Sequence, residues 1–294
     1  MPSVSIIIVS WNSAKIIGSA LDSISQLDYP ADQRQTVVVD NNSADNSVAF
    51  VRQTFPAVQV FAEPDNLGFA GGNNVGMRRT PADYYAFVNP DVTLEPDWLS
   101  NIITAMEADS SIGIVGSKIF YGNRVLLQHT GGMLQDNLLT YHLGANQLDI
   151  GQFQAQREID YAMGAAFVVR RGTAERLGYM ADAYFMYYEE TEFCYRTRKL
   201  GQRVVYLPSA IAYHNERFSL SGTPSWRYLW FYHRSRYLFA LRNLTTALER
   251  SRFLTAERHW LSLIGRSARY RLLLQRSKLA HWRLLLNNPW LLRT

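Results

Sequence analysis

The feature that most constrains this chain is an alternation. Short β-branched runs, each ending on polar residues, are separated by stretches with apolar residues at helical spacing. Residues 4–10 (Val-Ser-Ile-Ile-Ile-Val-Ser) form the first run; Ile16, Ile17, Ala20, Leu21 and Ile24 then share one helical face behind a possible Asn12–Ser13 cap. Residues 36–39 form a second run closing at Asp40, with Asn42 and Ser43 placed to cap a helix that reaches Phe55. A short run at 58–61, another at 84–88 closing at Asn89-Pro90-Asp91, a helix over 96–108 and a strand over 112–119 continue the pattern. Apolar runs of this kind suit strands buried on both faces. Their alternation with helices predicts an α/β fold, a Rossmann-like, mostly parallel sheet flanked by helices. Ligands of such sheets bind beyond the carboxyl ends of the strands. Ser10 and Asn12, Asp40 to Asn42, and Asn89 with Asp91 all fall at those ends, which predicts one shared cleft.

Composition narrows the class. The 294 residues are enough for one large domain with an appendage, and 47% hydrophobic content excludes a disordered chain. A single cysteine, Cys194, excludes a disulfide framework and any multi-cysteine zinc site. No apolar run approaches the ~18–20 uncharged residues of a spanning helix. No basic stretch precedes the first apolar run, so no signal peptide is expected. No two glycines are separated by one residue and no Gly-Lys pair occurs, which disfavours a dinucleotide fingerprint and a P-loop. The net charge of +5 is uneven: residues 225–294 hold 14 Lys and Arg against 2 Glu, whereas residues 1–224 hold 16 basic and 23 acidic residues. A basic tail on an acidic body points to a polyanion or an anionic membrane surface. No nucleic-acid-binding motif accompanies it, so nucleic acid is not the expected partner.

Several residues have both a structural and a chemical use. Asp40 can cap a helix, or accept the N3–H of a pyrimidine or the N1–H of guanine. Asp91 can close an Asx turn after Pro90, or act as a hard oxygen ligand for Mg²⁺ or Mn²⁺ beside a diphosphate. The glycines in Asn66-Leu-Gly-Phe-Ala-Gly-Gly-Asn-Asn74 can serve a turn entering a helix, or the close approach of backbone to a ligand.

Taken in order, Ser10-Trp-Asn12, Val39-Asp40-Asn41-Asn42-Ser43, the Asn66–Asn74 segment and Asn89-Pro90-Asp91 resemble glycosyltransferase family 2, nearest its bacterial rhamnosyltransferase-like members, over roughly residues 3–220. The resemblance implies the GT-A fold and a nucleotide-diphosphate sugar donor. It puts Asp40 on the base, and Ser10, Asn12, Asn42, Asn66, Gly71, Asn73, Asn89 and Asp91 around the nucleotide sugar. Asn89 stands where the family has the first Asp of its metal-binding DxD, which leaves Asp91 as the main carboxylate ligand of a divalent cation.

The second half carries the acceptor side. Residues 161–170 read as a strand with small residues, Gly164 and Ala165, at its centre. Glu189, Glu190 and Glu192 open a helix running to about Leu200. Acidic residues there suit the helix dipole, and a carboxylate beside aromatic surface also suits a general base. By resemblance, Glu190 occupies the position of the family's catalytic Asp, with Glu189 as second candidate and Glu192 on the acceptor side. Residues 203–214 resemble the family's closing strand pair, with His214 joining the metal site, and His129 in His-Thr-Gly-Gly falls on the acceptor side. From Ser225 the pattern is helical, with Trp226, Leu229, Trp230, Tyr237, Leu241, Leu244 and Leu248 expected on one side.

The reading is a catalytic domain over 1–222 and a basic amphipathic helical region over 223–294. It expects an inverting, metal-dependent transferase moving a sugar, L-rhamnose from dTDP-rhamnose foremost, to a lipid-linked saccharide in cell-envelope polysaccharide assembly. It would act peripherally at the cytoplasmic face of a bacterial plasma membrane, held by 225–294. A UDP- or GDP-hexose donor is the competing specificity. The departures Asn89 and Glu190 leave open a non-catalytic sugar-nucleotide-binding protein.

Overall fold

The computed structural model describes residues 1–215 and 225–264. Its strands are β1 Val4–Ser10, β2 Arg34–Asp40, β3 Gln59–Ala62, β4 Tyr84–Val88, β5 Val92–Leu94, β6 Ile112–Tyr121, β7 Leu127–His129, β8 Gly132–Leu134, β9 Thr140–His142, β10 Arg157–Glu158, β11 Ala166–Arg170 and β12 Arg203–His214. Its helices are α1 Ile17–Ser25, α2 Ser47–Thr54, α3 Gly68–Arg79, α4 Trp98–Ala108, α5 Arg171–Arg176, α6 Glu189–Lys199, α7 Trp226–Asn243 and α8 Ala247–Ile264. The long sheet runs β10-β12-β6-β11-β4-β1-β2-β3. The half built from β4, β1, β2 and β3 is all parallel, joined by helical crossovers. Beyond β4 the sheet is mixed: β11 runs antiparallel to both β4 and β6, and β12 runs parallel to β6. Buried side chains pack on both faces, Ile6, Ile8, Val38 and Trp98 on one and Ile7, Val37, Phe87 and Phe167 on the other. This two-sided burial explains the continuous apolar runs in the sequence.

Local structure departs from the sequence reading in four places. Helix α2 starts at Ser47 rather than near Asn42, because Asp45 turns back to accept from the Ser47 amide (3.0 Å). The strand expected over 161–170 begins at Ala166, after a turn through Gly164. Residues 203–214 are one strand, not a pair; its register with β6 shifts between Leu207 and Ile211, where Pro208 offers no N–H. In α7 the buried face holds Leu229, His233, Arg236, Tyr237 and Ala240, while Trp226 and Leu241 are exposed.

The chain divides into two compact units. The first holds the sheet. The second joins residues 225–264 with Leu134–Tyr141 and Met186–Tyr188, a discontinuity that a linear boundary at 222 cannot express. Ser225 caps α7 by accepting from the Tyr228 amide (3.0 Å). Arg236 is fully buried and makes a bidentate pair with Glu257 (2.8 Å each), which ties α7 to α8. Among the described residues no helix is long and apolar enough to cross a membrane. The basic stretch beyond residue 264 lies outside the described residues.

Candidate active site

The parallel register brings the predicted strand ends together. Ser10 lies opposite Asp40, and the Asn41 amide donates to the Ser10 carbonyl (2.8 Å). The Asp40 carboxylate accepts from the Ser43 amide (2.9 Å) and hydroxyl (2.6 Å). The Ser43 hydroxyl accepts from the Asn12 amide (2.8 Å), and Asn12 Oδ1 accepts from the Ala44 amide (2.8 Å). Asn12 and Asn42 both take left-handed backbone (φ 51° and 58°), which asparagine tolerates well. These bonds fix two β–α loops against each other. Asp40 is buried and uses two of a carboxylate's roughly four acceptor positions in its own loop. The Ser10 hydroxyl and Asn41 Oδ1 are buried without a hydrogen-bond partner.

Helix α3 explains its glycines by packing. A Cβ on Gly72 would come within 2.8 Å of Val9, and one on Gly76 within 2.5 Å of Ile7, so the helix lies directly on β1. Gly71 faces Leu67, Asn66 Oδ1 accepts from the Gly68 amide (2.9 Å), and Asn73 bonds the Phe69 carbonyl one turn back (3.0 Å). The close approach inferred from this segment is thus toward the protein's own strand.

The end of β4 and the end of β12 meet. Asn89 donates its amide to the Ala165 carbonyl (2.9 Å), and its carbonyl accepts from Val92 (3.1 Å). This turn leads into β5, whose Val92 pairs with His214. Asp91 Oδ1 lies 3.2 Å from His214 Nε2, and His214 Nδ1 lies 2.9 Å from Gln128 Oε1. Burial opposes ionisation of Asp91, but the hydrogen bond and charge of His214 prevail and hold its pKa below the usual 3.8. Gln128 Oε1 can only accept, so it holds the His214 ring by its Nδ1–H and aims Nε2 at the Asp91 carboxylate. The two side chains converge as ligands of one cation would, and the Gln128 contact is the outer support such a histidine ligand needs. Among the described residues no cluster of three or more His, Cys, Asp or Glu could hold a metal ion. Asp91 and His214 therefore offer two donors, and diphosphate oxygens and water would complete the shell of a divalent cation.

Glu190 sits in the first turn of α6, half-buried. Burial drives its pKa up to about 7, and hydrogen bonds from the Glu190 and Thr191 backbone only partly offset this. Gly164 lies beside it: a Cβ there would be 3.7 Å from the Glu190 carboxyl carbon and 3.4 Å from the Phe69 ring. Glu189 is buried. Two acceptor-side candidates are buried. Both oxygens of Glu192 accept from Arg196 Nε (2.8 Å each). His129 is fully buried against His142 (Nδ1 to Nδ1, 2.7 Å) and the Tyr161 ring, and burial lowers its pKa well below 6.5.

Sequence reasoning missed the residues that hold the loop before Glu190. Asn74 is buried; its Nδ2 donates to the Met180 carbonyl (2.9 Å) and to Asp182 (2.5 Å), and its Oδ1 accepts from the Met180 amide (3.0 Å). Arg196 donates to the carbonyls of Leu177 (2.7 Å) and Tyr179 (2.9 Å). Gly68 (φ +70°) lies under the same loop, since a Cβ there would meet the Phe185 carbonyl at 2.5 Å. Asn74 was visible in the motif, but nothing in the spacing shows that its partner lies over a hundred residues away.

The sequence model described as "Glycosyl transferase family 2" matches residues 5–178, and the chain belongs to that family. It is a glycosyltransferase of GT-A fold. It is 24% identical over 257 residues to a low-salt glycan biosynthesis hexosyltransferase of Haloferax volcanii, covering 85% of this chain and 80% of the relative. It is 25% identical over 232 residues to the N-acetylglucosaminyl-diphospho-decaprenol L-rhamnosyltransferase of Mycobacterium tuberculosis, covering 69% and 73%. In structure it resembles a mannosyltransferase from Pyrobaculum calidifontis in complex with GDP-Man and Mn²⁺ (TM-score 0.61, 20% identity, 87% of this chain and 69% of that one). It also resembles S. aureus TarS in complex with UDP-GlcNAc (TM-score 0.64, 16% identity, 94% and 79%).

Proposed function

We propose that this glycosyltransferase transfers one sugar, with inversion, from a nucleotide-diphosphate donor to a hydroxyl of a lipid-linked saccharide. The observation that carries the reading is Glu190 itself, in the first turn of α6 beside Gly164, with its pKa raised to about 7. A carboxylate poised there takes a proton at neutral pH more readily than an ordinary glutamate. Glu190 removes the proton of the acceptor hydroxyl as that oxygen attacks the anomeric carbon. The bond from that carbon to the diphosphate oxygen breaks, and its electron pair leaves with the nucleoside diphosphate. One displacement inverts the anomeric configuration and leaves no sugar on the protein. Glu190 is one methylene longer than the family's Asp, so its backbone sits further from the reacting oxygen.

Asp91 and His214 would hold a Mg²⁺ or Mn²⁺ ion, which supplies Lewis-acid stabilisation to the leaving diphosphate when bound. Asp40 would take the base, and the Ser10, Asn12 and Asn42 loops would take the nucleoside. L-rhamnose from a dTDP donor is the foremost candidate, supported by the rhamnosyltransferase relatives. UDP- and GDP-hexoses compete, supported by the structural neighbours. Calorimetric titration with dTDP, UDP and GDP, each with and without Mn²⁺, decides: metal-enhanced binding of one names the donor, and binding of none refutes the reading.

The helical unit supports placement at an anionic membrane surface in the cytoplasm. Its described helices expose Trp226, Leu241, Leu248 and Leu254 among Arg227, Arg250, Arg252 and Arg258. Flotation with anionic but not neutral vesicles is the expected result.

A further inference from the structure

The Asn66-Leu-Gly-Phe turn contains one side chain that the packing of α3 on β1 leaves without a use. Phe69 stands in the first turn of α3 and is half-buried, within the unit that holds the sheet. Three hydrogen bonds frame it. Asn66 Oδ1 accepts from the Gly68 amide (2.9 Å), Asn41 just past β2 donates its Nδ2 to the Gly68 carbonyl (2.9 Å), and Asn73 donates its Nδ2 to the Phe69 carbonyl (3.0 Å). Gly68 takes left-handed backbone (φ +70°), which lets the chain turn into the helix at this point. The ring is therefore carried on a turn bonded to the loop that follows Asp40.

That ring reaches Gly164, on the loop ahead of β11. A Cβ on Gly164 would lie 3.4 Å from Phe69 Cζ and 3.7 Å from the Glu190 carboxyl carbon. The ring and the carboxyl thus flank one small space, with no side chain at Gly164 to fill it. Neither a phenyl ring nor a glycine Cα hydrogen-bonds a carboxylate as water does. An anion held beside them loses hydration without a substitute, so they favour the protonated acid. The ionisable groups of the same region are otherwise engaged. Glu189 is buried on the same helical turn, Glu192 is paired with Arg196, and Asp160 with Arg198 (2.6 Å). Cys194, which feels the Glu190 charge, is neutral, its thiol pushed up to about 12 chiefly by burial. Burial is likewise the leading cause of the raised pKa of Glu190.

We propose that Phe69 is a positioning residue for Glu190: with the bare backbone of Gly164 it forms the apolar wall that holds the carboxyl and keeps water from it. Its bearing on transfer rests on Glu190 being the base. One turn, bonded at its start to the loop after Asp40, thereby sets the ring that conditions the proton acceptor.

The test is a ¹³C titration of the Glu190 carboxyl in the full chain, assigned with Glu190→Gln, run beside the pH profile of transfer. Phe69→Ala should lower the titration midpoint from about 7 by about one unit or more toward the ordinary 4.5, and Phe69→Leu, which keeps an apolar wall, should leave it near 7. The acidic limb of the transfer profile should move down with the midpoint, while the donor KM stays within about twofold of wild type. Phe69→Tyr keeps the ring and its packing, and adds a hydroxyl on Cζ, the atom nearest the space that the carboxyl flanks. Its donor should also lower the midpoint. A midpoint unmoved in Phe69→Ala or, should that variant not fold, in Phe69→Tyr would overturn the proposal, as would Phe69→Leu shifting as far as Phe69→Ala. A midpoint that falls while the acidic limb of transfer stays in place supports Phe69 as the wall of Glu190 and refutes Glu190 as the base.

Discussion

Asp91 and Glu190 are both half-buried carboxylates, and burial pushes the pKa of each upward. They end on opposite sides of the ordinary range. Asp91 has the His214 imidazole 3.2 Å away and is driven down. Glu190, offset only in part by backbone hydrogen bonds from its own helical turn, rises to about 7. The difference lies in the partner, not in the depth. A cationic or proton-sharing neighbour makes one group a permanent anion, suited to hold a cation and a diphosphate. Its absence leaves the other ready to exchange a proton at neutral pH. Two carboxylates with pKa values pushed apart by their surroundings are the usual mark of divided roles in a catalytic site.

The sharpest way to break this comparison is to remove the proton acceptor. Glu190→Gln should lower transfer by about 10²–10⁴-fold, the worth of a general base, while nucleotide affinity stays at the wild-type value. It should also raise thermal stability at pH 8. The folded-state pKa of Glu190 lies above its ordinary 4.5, so its contribution to stability is full below about 4.5 and is lost as pH climbs through about 7. The amide escapes that loss. Wild-type transfer should rise with pH through the same region.

Altering the other carboxylate's side should act on metal and nucleotide instead. Asp91→Asn should abolish Mn²⁺ enhancement of nucleotide binding, and Gln128→Ala, which only frees His214 to turn, should weaken it about tenfold. Calorimetry with and without Mn²⁺ measures both. Asn74→Ala strands the buried amide and carbonyl of Met180 and should cost about 2–3 kcal/mol of stability, read by denaturant titration. The smallest effect is at Gly164. Alanine there meets ordinary contact distances and should fold normally with a modest loss of transfer, whereas valine reaches the Glu190 carboxyl and should lose more.

The parallel half was legible because β1, β2 and β4 carry buried apolar runs that end at polar residues. Asp40, Asp91, Glu190 and His214 were singled out by motif, and the structure brings Asp91 to His214 and Gly164 to Glu190. The mixed half was less legible. The Pro208 shift in β12 and the late start of β11 depend on neighbours far away in sequence. The burial of Glu192 was not legible either: its partner Arg196 lies on its own helix, but how deep the carboxylate sits depends on tertiary packing. The tail's buried face was misjudged because Arg236, which reads as a surface residue, is the core of its unit through Glu257.

The most direct test of the two-carboxylate account is a ¹³C NMR titration of side-chain carboxyls in the full chain, assigned with Glu190→Gln and Asp91→Asn. The account predicts one carboxyl titrating near 7, lost in Glu190→Gln, and one titrating below 3.8, lost in Asp91→Asn. Both groups titrating in the ordinary carboxylate range, or the two assignments reversed, would contradict it.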